Sequence, residues 1–261
     1  MAQRKVVLVT GANTGLGFQI VKAICDSDGS YEVLLGGRSI HKAEEAVTNL
    51  KEEFPQTSIR PIQVDVEDDI SINSAFEYVK AKFGKLDALI NNAGSQLDQQ
   101  VLSGKMATRE MWNKTYSVNV TGAHIMTWTF APLLLESDDP RLIFIASGTS
   151  SLTTSENPDF FINKGPSKGW PKALTTVDVP AYRSSKTGMN MMMRILGEDG
   201  VRVWAISPGY LATGLGLGSE TNKKQGAIDP VIGAALVKDV LEGARDGDVG
   251  KVVLKQGVQP W

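Results

Sequence analysis

The amino-acid sequence predicts an α/β protein with a doubly wound, mostly parallel sheet of about seven strands and helices on both faces. Two observations lead to this class. Short apolar runs recur along the chain, and longer segments with helical hydrophobic periodicity separate them. A connection that contains a helix returns the chain to the same edge of the sheet, so neighbouring strands run parallel. This is the architecture of a Rossmann fold.

The strands are predicted from uninterrupted apolar runs, because parallel strands are buried on both faces. These runs are Val6 to Val9, Val33 to Leu35, Ile59 to Val64, Leu86 to Ile90, Leu142 to Ala146, Val201 to Ile206 and Val252 to Leu254. The helices predicted between them include Leu16 to Cys25, Ile40 to Glu53, Ile70 to Phe83 and Tyr182 to Leu196. Another apolar-periodic helix is expected after Asp229, before the last strand.

Composition narrows the class of protein. A chain of 261 residues, 42% of them hydrophobic, can bury one large core, so we expect a single domain over residues 1–261. The net charge of −2 gives no basic surface for nucleic acid. Cys25 is the only cysteine, and His41 and His124 lack partners at metal-ligand spacing, so neither a disulfide nor a metal site is expected. With no signal peptide and no apolar run of about 20 residues, the prediction is a cytoplasmic protein without a membrane segment.

A glycine-rich turn follows the first predicted strand and opens directly into the first helix. It carries glycines at positions 11, 15 and 17, within the segment from Thr10 to Gly17. Glycines let the backbone turn sharply and approach a pyrophosphate, while the first N–H groups of the helix face the negative charge. A lone glycine triplet is weak evidence, but the strand before it and the helix after it favour a dinucleotide site.

The pattern Thr-Gly-x-x-x-Gly-x-Gly at residues 10–17 resembles the cofactor signature of short-chain dehydrogenases/reductases, and the resemblance extends from residue 5 to about 215. It implies that Asp65-Val66, at the end of the third strand, lies against adenine. Asn91-Asn92-Ala93-Gly94, after the fourth strand, would lie beside a ribose. Ser207-Pro208-Gly209, with Thr213 four residues later, would flank the nicotinamide.

Tyr182 and Lys186 lie four residues apart at the start of a predicted helix, so their side chains share one face. Such a pair alone is usually an ordinary exposed one. A phenol, with a pKa near 10, needs nearby positive charge to act as an acid or base at neutral pH. The resemblance implies that Tyr182 is the general acid/base and that Lys186 supports it. It also implies that Ser147 binds the substrate carbonyl, with Ser150 and Ser151 as alternatives, and that Asn119 supports a water leading to the lysine.

The end of the second strand indicates which cofactor binds. Gly37 stands where NAD-preferring relatives usually have Asp, and the guanidinium of Arg38 suits a 2′-phosphate. The prediction is NADP(H), although Arg38 could instead stack on adenine in a site that accepts both cofactors. The candidate cofactor contacts are Gly11, Asn13, Thr14, Gly15, Leu16, Gly17, Arg38, Asp65, Val66, Asn91, Ala93, Gly94, Tyr182, Lys186, Pro208, Gly209 and Thr213.

An insertion over residues 150–180 separates Ser147 from Tyr182 by 35 positions. Its proline breaks argue against one helix, and Phe160, Phe161, Ile162 and Trp170 are expected to anchor it. It is either a substrate lid or a docked surface excursion. A comparable insertion occurs in the monomeric carbonyl-reductase branch of the family, so a monomer is plausible beside the usual homodimer or tetramer.

These motifs together predict NADPH-dependent reduction of a ketone or aldehyde, or the reverse alcohol oxidation. The partner is then a small-molecule carbonyl or alcohol substrate. A catalytically silent NADP(H) sensor on the same fold is the main alternative. A nucleotide-sugar epimerase or dehydratase is less favoured, because only about 75 residues follow Lys186.

Overall fold

The structure, a computed structural model, describes residues 4–164, 168–170, 172, 175–195 and 200–261. The strands are β1 (Lys5–Val9), β2 (Tyr31–Gly37), β3 (Ser58–Gln63), β4 (Ala88–Asn91), β5 (Arg141–Ile145), β6 (Arg202–Ile206), β7 (Val252–Val253) and β8 (Val258–Gln259). They form one sheet in the order β3-β2-β1-β4-β5-β6-β7-β8, in which β1 to β7 run parallel and β8 pairs antiparallel with β7. The predicted fold class is confirmed, with β8 as one strand more than the apolar runs indicated.

Helices cover both faces of this sheet. They are α1 (Gly15–Cys25), α2 (Ile40–Glu53), α3 (Asp69–Phe83), α4 (Asp98–Leu102), α5 (Thr108–Tyr116), α6 (Ala123–Leu134), α7 (Leu152–Ser155), α8 (Pro180–Ile195), α9 (Ser219–Lys224) and α10 (Pro230–Leu241). Successive residues of β1 alternate between the two layers, since side chains of a strand point to opposite faces. Val7 and Val9 pack with α1, α2 and α10, whereas Val6 and Leu8 pack with α3, α6 and α8.

Most predicted strands and helices agree with the structure to within one or two residues at each end, and α2 matches the prediction at both ends. The prediction that Asp65 and Val66 end the third strand is wrong by two residues. β3 ends at Gln63, and the chain then turns as the Asp65 carboxylate accepts a hydrogen bond from the Glu67 N–H at 3.1 Å. Leu196 is the predicted end of the helix that begins at Tyr182, and it lies outside the described residues.

A π-helical turn, Ser117–Gly122, interrupts the central helical segment between α5 and α6. A π turn adds one residue to a helical turn and is often found at functional sites. Asn119, a predicted catalytic residue, lies within it.

The insertion is described in part. It contains a 3₁₀ turn at Gly148–Ser150, the short helix α7 and a second 3₁₀ turn at Phe161–Asn163, whereas Pro166 and Pro171 lie outside the described residues. Phe160 and Ile162 are half-buried. The expectation that Trp170 anchors the insertion is wrong: its side chain is 87% exposed and has the Lys172 ammonium 5.7 Å from a ring centre, which is a surface contact.

The order in which strands are added to the sheet changes direction between β1 and β4. From β1 the sheet continues to β2 and β3 on one side, and from β4 it continues to β5 and the later strands on the other side. In open α/β sheets, the loops after two such strands lead to opposite faces of the sheet and leave a crevice at the carboxyl ends of the strands. Ligands bind in this crevice. The candidate site is therefore expected there. Within the described chain, no helix is long and apolar enough to cross a bilayer.

Candidate active site

The turns after β1 and β4 are joined by hydrogen bonds into one floor. The Thr10 hydroxyl accepts from the N–H groups of Asn92 and Ala93, each at 3.0 Å. In return, the Asn92 side-chain amide donates to the carbonyls of Thr10 at 2.8 Å and Gly11 at 3.1 Å. Thr10 and Asn92 thus hold the site together, although neither was singled out as a site residue. Their partners lie more than 80 positions away, and a single sequence carries no signal for such a pairing.

Small residues bring three loops close together at this floor. Gly11 has a φ of +61°, and a Cβ there would lie only 2.9 Å from the Ala93 Cα, so glycine is required for the approach. A Cβ on Gly15 would contact the Thr213 side chain at 3.6 Å. The predicted phosphate loop, the Asn-Asn-Ala-Gly turn and the loop that ends at Thr213 therefore meet at one crevice. Leu16 is half-buried in the first turn of α1, and Thr14 is exposed before it.

The end of β2 lies close to Asn13 of the predicted phosphate loop. A Cβ on Gly37 would lie 3.3 Å from the Asn13 side-chain oxygen, so a larger residue would press on the phosphate loop. Arg38 is exposed, and its guanidinium makes no hydrogen bond or ion pair to any residue that the structure describes. A fork of N–H donors is therefore available at the position where the sequence predicts a 2′-phosphate.

The segments that the sequence predicts to lie against adenine and nicotinamide pack against other elements of the fold. Val66 lies against the π turn, where a Cβ on Gly122 would overlap the Val66 carbonyl oxygen. Pro208 packs against Gly233 of α10, and Gly209 lies beside Ile228. Asn91 is buried, and its side-chain amide donates to the Thr127 hydroxyl on α6 at 3.1 Å. The Asn91 side chain therefore points into the core.

Lys186 lies buried at the carboxyl end of β5. Its ammonium donates to the Ile145 carbonyl at 2.7 Å and lies 5.9 Å from the centre of the Tyr182 ring. Among the described residues it has no carboxylate partner. Burial lowers the pKa of Lys186 to about 8, because the charged form loses its hydration. The site therefore holds a cation next to a phenol with little to neutralise it.

Tyr182 stands between Lys186 and Ser147. Burial raises the pKa of Tyr182, and a hydrogen bond from the Ser147 side chain opposes that rise. The other two candidate serines are engaged elsewhere. The Ser150 hydroxyl donates to the Ser147 carbonyl at 2.6 Å, and the Ser151 hydroxyl donates to the Trp261 carbonyl at 3.3 Å. Of the three candidates, Ser147 is thus the serine that interacts with the phenol, and its hydroxyl also lies 2.9 Å from the Thr149 hydroxyl.

Asn119 fastens the turn after β4 to α8. Its side-chain oxygen accepts from the Ser95 N–H at 2.8 Å, and its amide donates to the Ser95 carbonyl and to the Ser185 hydroxyl, each at 2.9 Å. A Cβ on Gly94 would lie 3.3 Å from the Asn119 side-chain oxygen and 3.6 Å from the Lys186 ammonium. Asn119 and Lys186 therefore flank the same glycine, with Ser185 as a residue that sequence reasoning missed.

Two further residues place α8. The buried Asp98 carboxylate accepts from the Ala181 N–H at 3.0 Å, directly before Tyr182, and burial raises the pKa of Asp98. The Arg183 guanidinium donates to the carbonyls of Thr149 and Ile162 and to the Asn163 side chain. These contacts fix the first turn of the helix and attach the described part of the insertion to it.

Known proteins resemble this chain in both sequence and fold. A family model described as short chain dehydrogenase matches residues 5–160. The short-chain dehydrogenase/reductase tropE of Talaromyces stipitatus is 45% identical, with 100% of this chain and 99% of that protein covered. Another, eupG of a Phoma species, is also 45% identical, with 98% of this chain and 97% of that protein covered.

The chain belongs to the short-chain dehydrogenase/reductase family. A solved carbonyl reductase from chicken fatty liver, determined with NADPH bound, has the same fold with a TM-score of 0.77, 22% identity and complete coverage of both chains. Membership makes the protein an oxidoreductase of the kind that exchanges hydride between a nicotinamide cofactor and an alcohol or carbonyl group. It also agrees with the order in which the site segments follow the strands.

Proposed function

We propose that the protein catalyses NADPH-dependent reduction of a ketone or aldehyde to the alcohol, or the reverse oxidation, with Tyr182 as general acid/base. The observation that carries the proposal is the buried Lys186 ammonium, which lies 5.9 Å from the centre of the Tyr182 ring at the carboxyl end of β5. It has no carboxylate partner in the described part of the chain. A cation so placed stabilises phenolate relative to phenol. Few other tasks need that arrangement.

The site residues divide the proton chemistry among them. Burial keeps the Tyr182 phenol protonated at neutral pH, which is the state that donates a proton to a developing alkoxide. The Ser147 hydroxyl, beside the phenol, donates a hydrogen bond to the substrate carbonyl oxygen. Lys186 then stabilises the phenolate that remains, and Asn119 and Ser185 hold the surrounding turn. When bound, the nicotinamide cofactor supplies or accepts the hydride.

The crevice fits such a cofactor. The close contacts of Gly11 and Gly15 form a cradle that an added Cβ would disturb, at the amino end of α1 where a pyrophosphate is favoured. Asn13, Thr14, Leu16 and Gly17 complete the phosphate loop. Arg38, unpaired among the described residues, supports NADP(H) over NAD(H), because a guanidinium fork matches a 2′-phosphate and Gly37 offers no carboxylate to repel it.

The reaction is tested with Tyr182→Phe against a panel of ketones, aldehydes and quinones, following reduced-nicotinamide absorbance. Turnover should fall by about 10²–10⁴-fold, because the proton donor is gone, while NADPH binding stays within about twofold. Tyr78→Phe, an exposed tyrosine on α3, is the matched control and should keep full activity. Substantial turnover by Tyr182→Phe contradicts the proposal. NADPH binding with no turnover of any substrate by the wild type favours the sensor instead.

Cofactor choice is tested by titration with NADPH and NADH. The wild type should bind NADPH more tightly, and Arg38→Gln should weaken NADPH by about tenfold and leave NADH unchanged, since only the phosphate contact is lost. Arg109→Gln, on an exposed part of α5, is the control. Equal affinity of the wild type for both cofactors means that Arg38 does not select the phosphate.

We also propose a cellular compartment and an oligomeric state, each from one other feature of the chain. The single cysteine, Cys25, is buried and free, which supports a reducing compartment such as the cytoplasm. Arg183 on α8 binds the insertion, so the insertion lies against this helix. This supports a monomer over a dimer or tetramer in which α8 forms the interface. Cell fractionation and sedimentation equilibrium, respectively, test these two proposals.

A further inference from the structure

Ser150 occupies the centre of a buried polar cluster beneath the candidate catalytic serine. Its hydroxyl donates to the Ser147 carbonyl at 2.6 Å and accepts from the side-chain amides of Asn190 at 2.9 Å and Gln259 at 3.2 Å. Its carbonyl accepts from the Thr187 hydroxyl at 2.8 Å. Its hydroxyl oxygen and its carbonyl therefore join the serine turn to other elements.

The cluster connects three elements that are distant in sequence. Ser150 belongs to the 3₁₀ turn that follows Ser147, Asn190 lies on α8 together with Tyr182, and Gln259 lies on the edge strand β8. The Gln259 amide also donates directly to the Ser147 carbonyl at 3.2 Å. Ser150, Asn190 and Gln259 are each more than nine-tenths buried, so the contacts are shielded from water.

Packing alone does not account for these side chains. Among the described residues, the amide oxygens of Asn190 and Gln259 have no hydrogen-bond donor, although both are buried. An apolar side chain of similar size would avoid that penalty. The sequence retains two amides here whose N–H groups point at the turn that carries Ser147, and functional sites are where such local conflicts concentrate.

We propose that Ser150, Asn190 and Gln259 are positioning residues that fix Ser147 relative to Tyr182, so that β8 is part of the active site. The inference rests on the proposed function, in which both hydroxyls contact the substrate oxygen. A catalytic pair must keep its geometry to within about half an ångström, and residues in a supporting shell provide this. Gln259 holds the serine turn from the sheet edge, and Asn190 holds the same turn from α8.

Gln259→Met tests the contribution of β8. Methionine has a similar length and removes both donors, but it also removes the unpaired oxygen, so the midpoint of thermal unfolding should change little. We expect kcat to fall about tenfold with NADPH affinity unchanged, because only alignment is lost. Val258→Thr, on the same strand but exposed, should behave as the wild type. An unchanged kcat for Gln259→Met overturns the proposal.

Ser150→Ala is a second variant, which removes the hydroxyl on which both amides converge. It should lower kcat at least as much as Gln259→Met, and the losses in the double variant should be less than additive, since both residues hold the same Ser147 carbonyl. Additive losses in kcat would mean that the two residues act separately and would contradict a shared network.

A readout independent of turnover separates this inference from the proposed function. The ultraviolet difference titration between wild type and Tyr182→Phe reports the ionisation of Tyr182. Because Ser147 opposes the rise in the pKa of Tyr182, Gln259→Met should move that titration to higher pH. If no carbonyl is turned over but the titration shifts, the proposed reaction fails and the positioning network stands. An unshifted titration beside normal turnover refutes the network alone.

Discussion

The two ends of the sheet are built in contrasting ways. At the amino ends of the strands, charged side chains are paired and nearly every buried polar group has a partner. At the carboxyl ends, a buried lysine has no carboxylate partner and several buried polar atoms have no hydrogen-bond partner among the residues that the structure describes. Stability and function therefore act on opposite ends of the same strands.

The amino end is held by an ion-pair network. Arg141, at the start of β5, donates to both carboxylate oxygens of Asp246 at 2.7 and 3.1 Å, to Asp139 at 3.2 Å and to the Val240 carbonyl at 2.9 Å. Arg202, at the start of β6, also pairs with Asp139 and Asp246. This network connects β5 and β6 with the chain after α10.

The carboxyl end keeps polar groups that packing would not select. Besides the unneutralised Lys186, the Asn91 side-chain oxygen, the Ser95 hydroxyl and one Asp98 carboxylate oxygen are buried without a partner among the described residues. Proteins accept such penalties where chemistry requires them and offset them elsewhere. The comparison teaches that the amino end compensates for the site.

The largest expected effect is on catalysis. Lys186→Met should lower kcat by about 10³-fold, because the phenolate of Tyr182 loses its cation, while the free energy of unfolding at pH 7 stays equal or rises. Steady-state kinetics and urea unfolding measure the two quantities. A variant that loses stability together with activity would break the contrast between the two ends.

The reverse result is expected at the amino end. Arg141→Met should reduce the free energy of unfolding by about 3 kcal/mol, because Asp139 and Asp246 lose the buried guanidinium between them. The kcat of the folded variant should stay within about twofold, since the site lies at the opposite edge. Lys22→Met, which breaks an exposed pair with Glu53, is the control and should cost less than about 1 kcal/mol.

The pH dependence of stability should sharpen the comparison. The pKa of Lys186 is about 8 in the folded protein, below the 10.5 of an ordinary lysine, so the folded state binds the proton more weakly than the unfolded chain does. The penalty is complete below pH 8 and disappears as the pH rises to 10.5. In urea unfolding, the free energy of unfolding of the cofactor-free wild type, relative to that of Lys186→Met, should rise by on the order of 3 kcal/mol over this range. A difference independent of pH would contradict the burial of a charged lysine.

The smallest effect is expected from Asp246→Asn. The hydrogen bond from Arg141 lowers the pKa of Asp246, but the side chain is 36% exposed and solvent screens the pair. We expect a loss of about 1 kcal/mol at pH 7. Because the folded pKa lies below the unfolded value of 3.8, this contribution is present above pH 3.8 and is lost as the pH falls through the folded value. Acid unfolding curves of both proteins should therefore converge.

The sequence predicted the strands and helices more accurately than the side-chain contacts that join them. Strands and helices were predictable because periodicity is local, and α2 matched at both ends. The Thr10–Asn92 contact and the Arg141 network join positions that are distant along the chain, so no local pattern reports them. The π turn around Asn119 was not predicted, because it depends on which backbone groups hydrogen-bond within a helix and a single sequence carries no specific signal for that.

Site residues followed the same rule. Helical spacing predicted that Tyr182 and Lys186 share one face, and the resemblance gave these two residues, Ser147 and Asn119 their expected roles. Asn190 and Gln259 were not assigned roles, and Ser150 was named only as an alternative to Ser147, since their contacts depend on how the edge strand packs beneath the serine turn. Trp170 was misjudged because an aromatic residue in a loop can lie at the surface as readily as in the core.

The π turn at Ser117–Gly122 also sets a length. At one end of it, Gly122 lies against Val66, in the segment predicted to meet adenine. Three residues earlier, Asn119 grips Ser95, beside the turn predicted to meet a ribose. The π-helical backbone between these contacts sets the distance between the two segments, and therefore the distance between the adenine and ribose contacts that the sequence predicts.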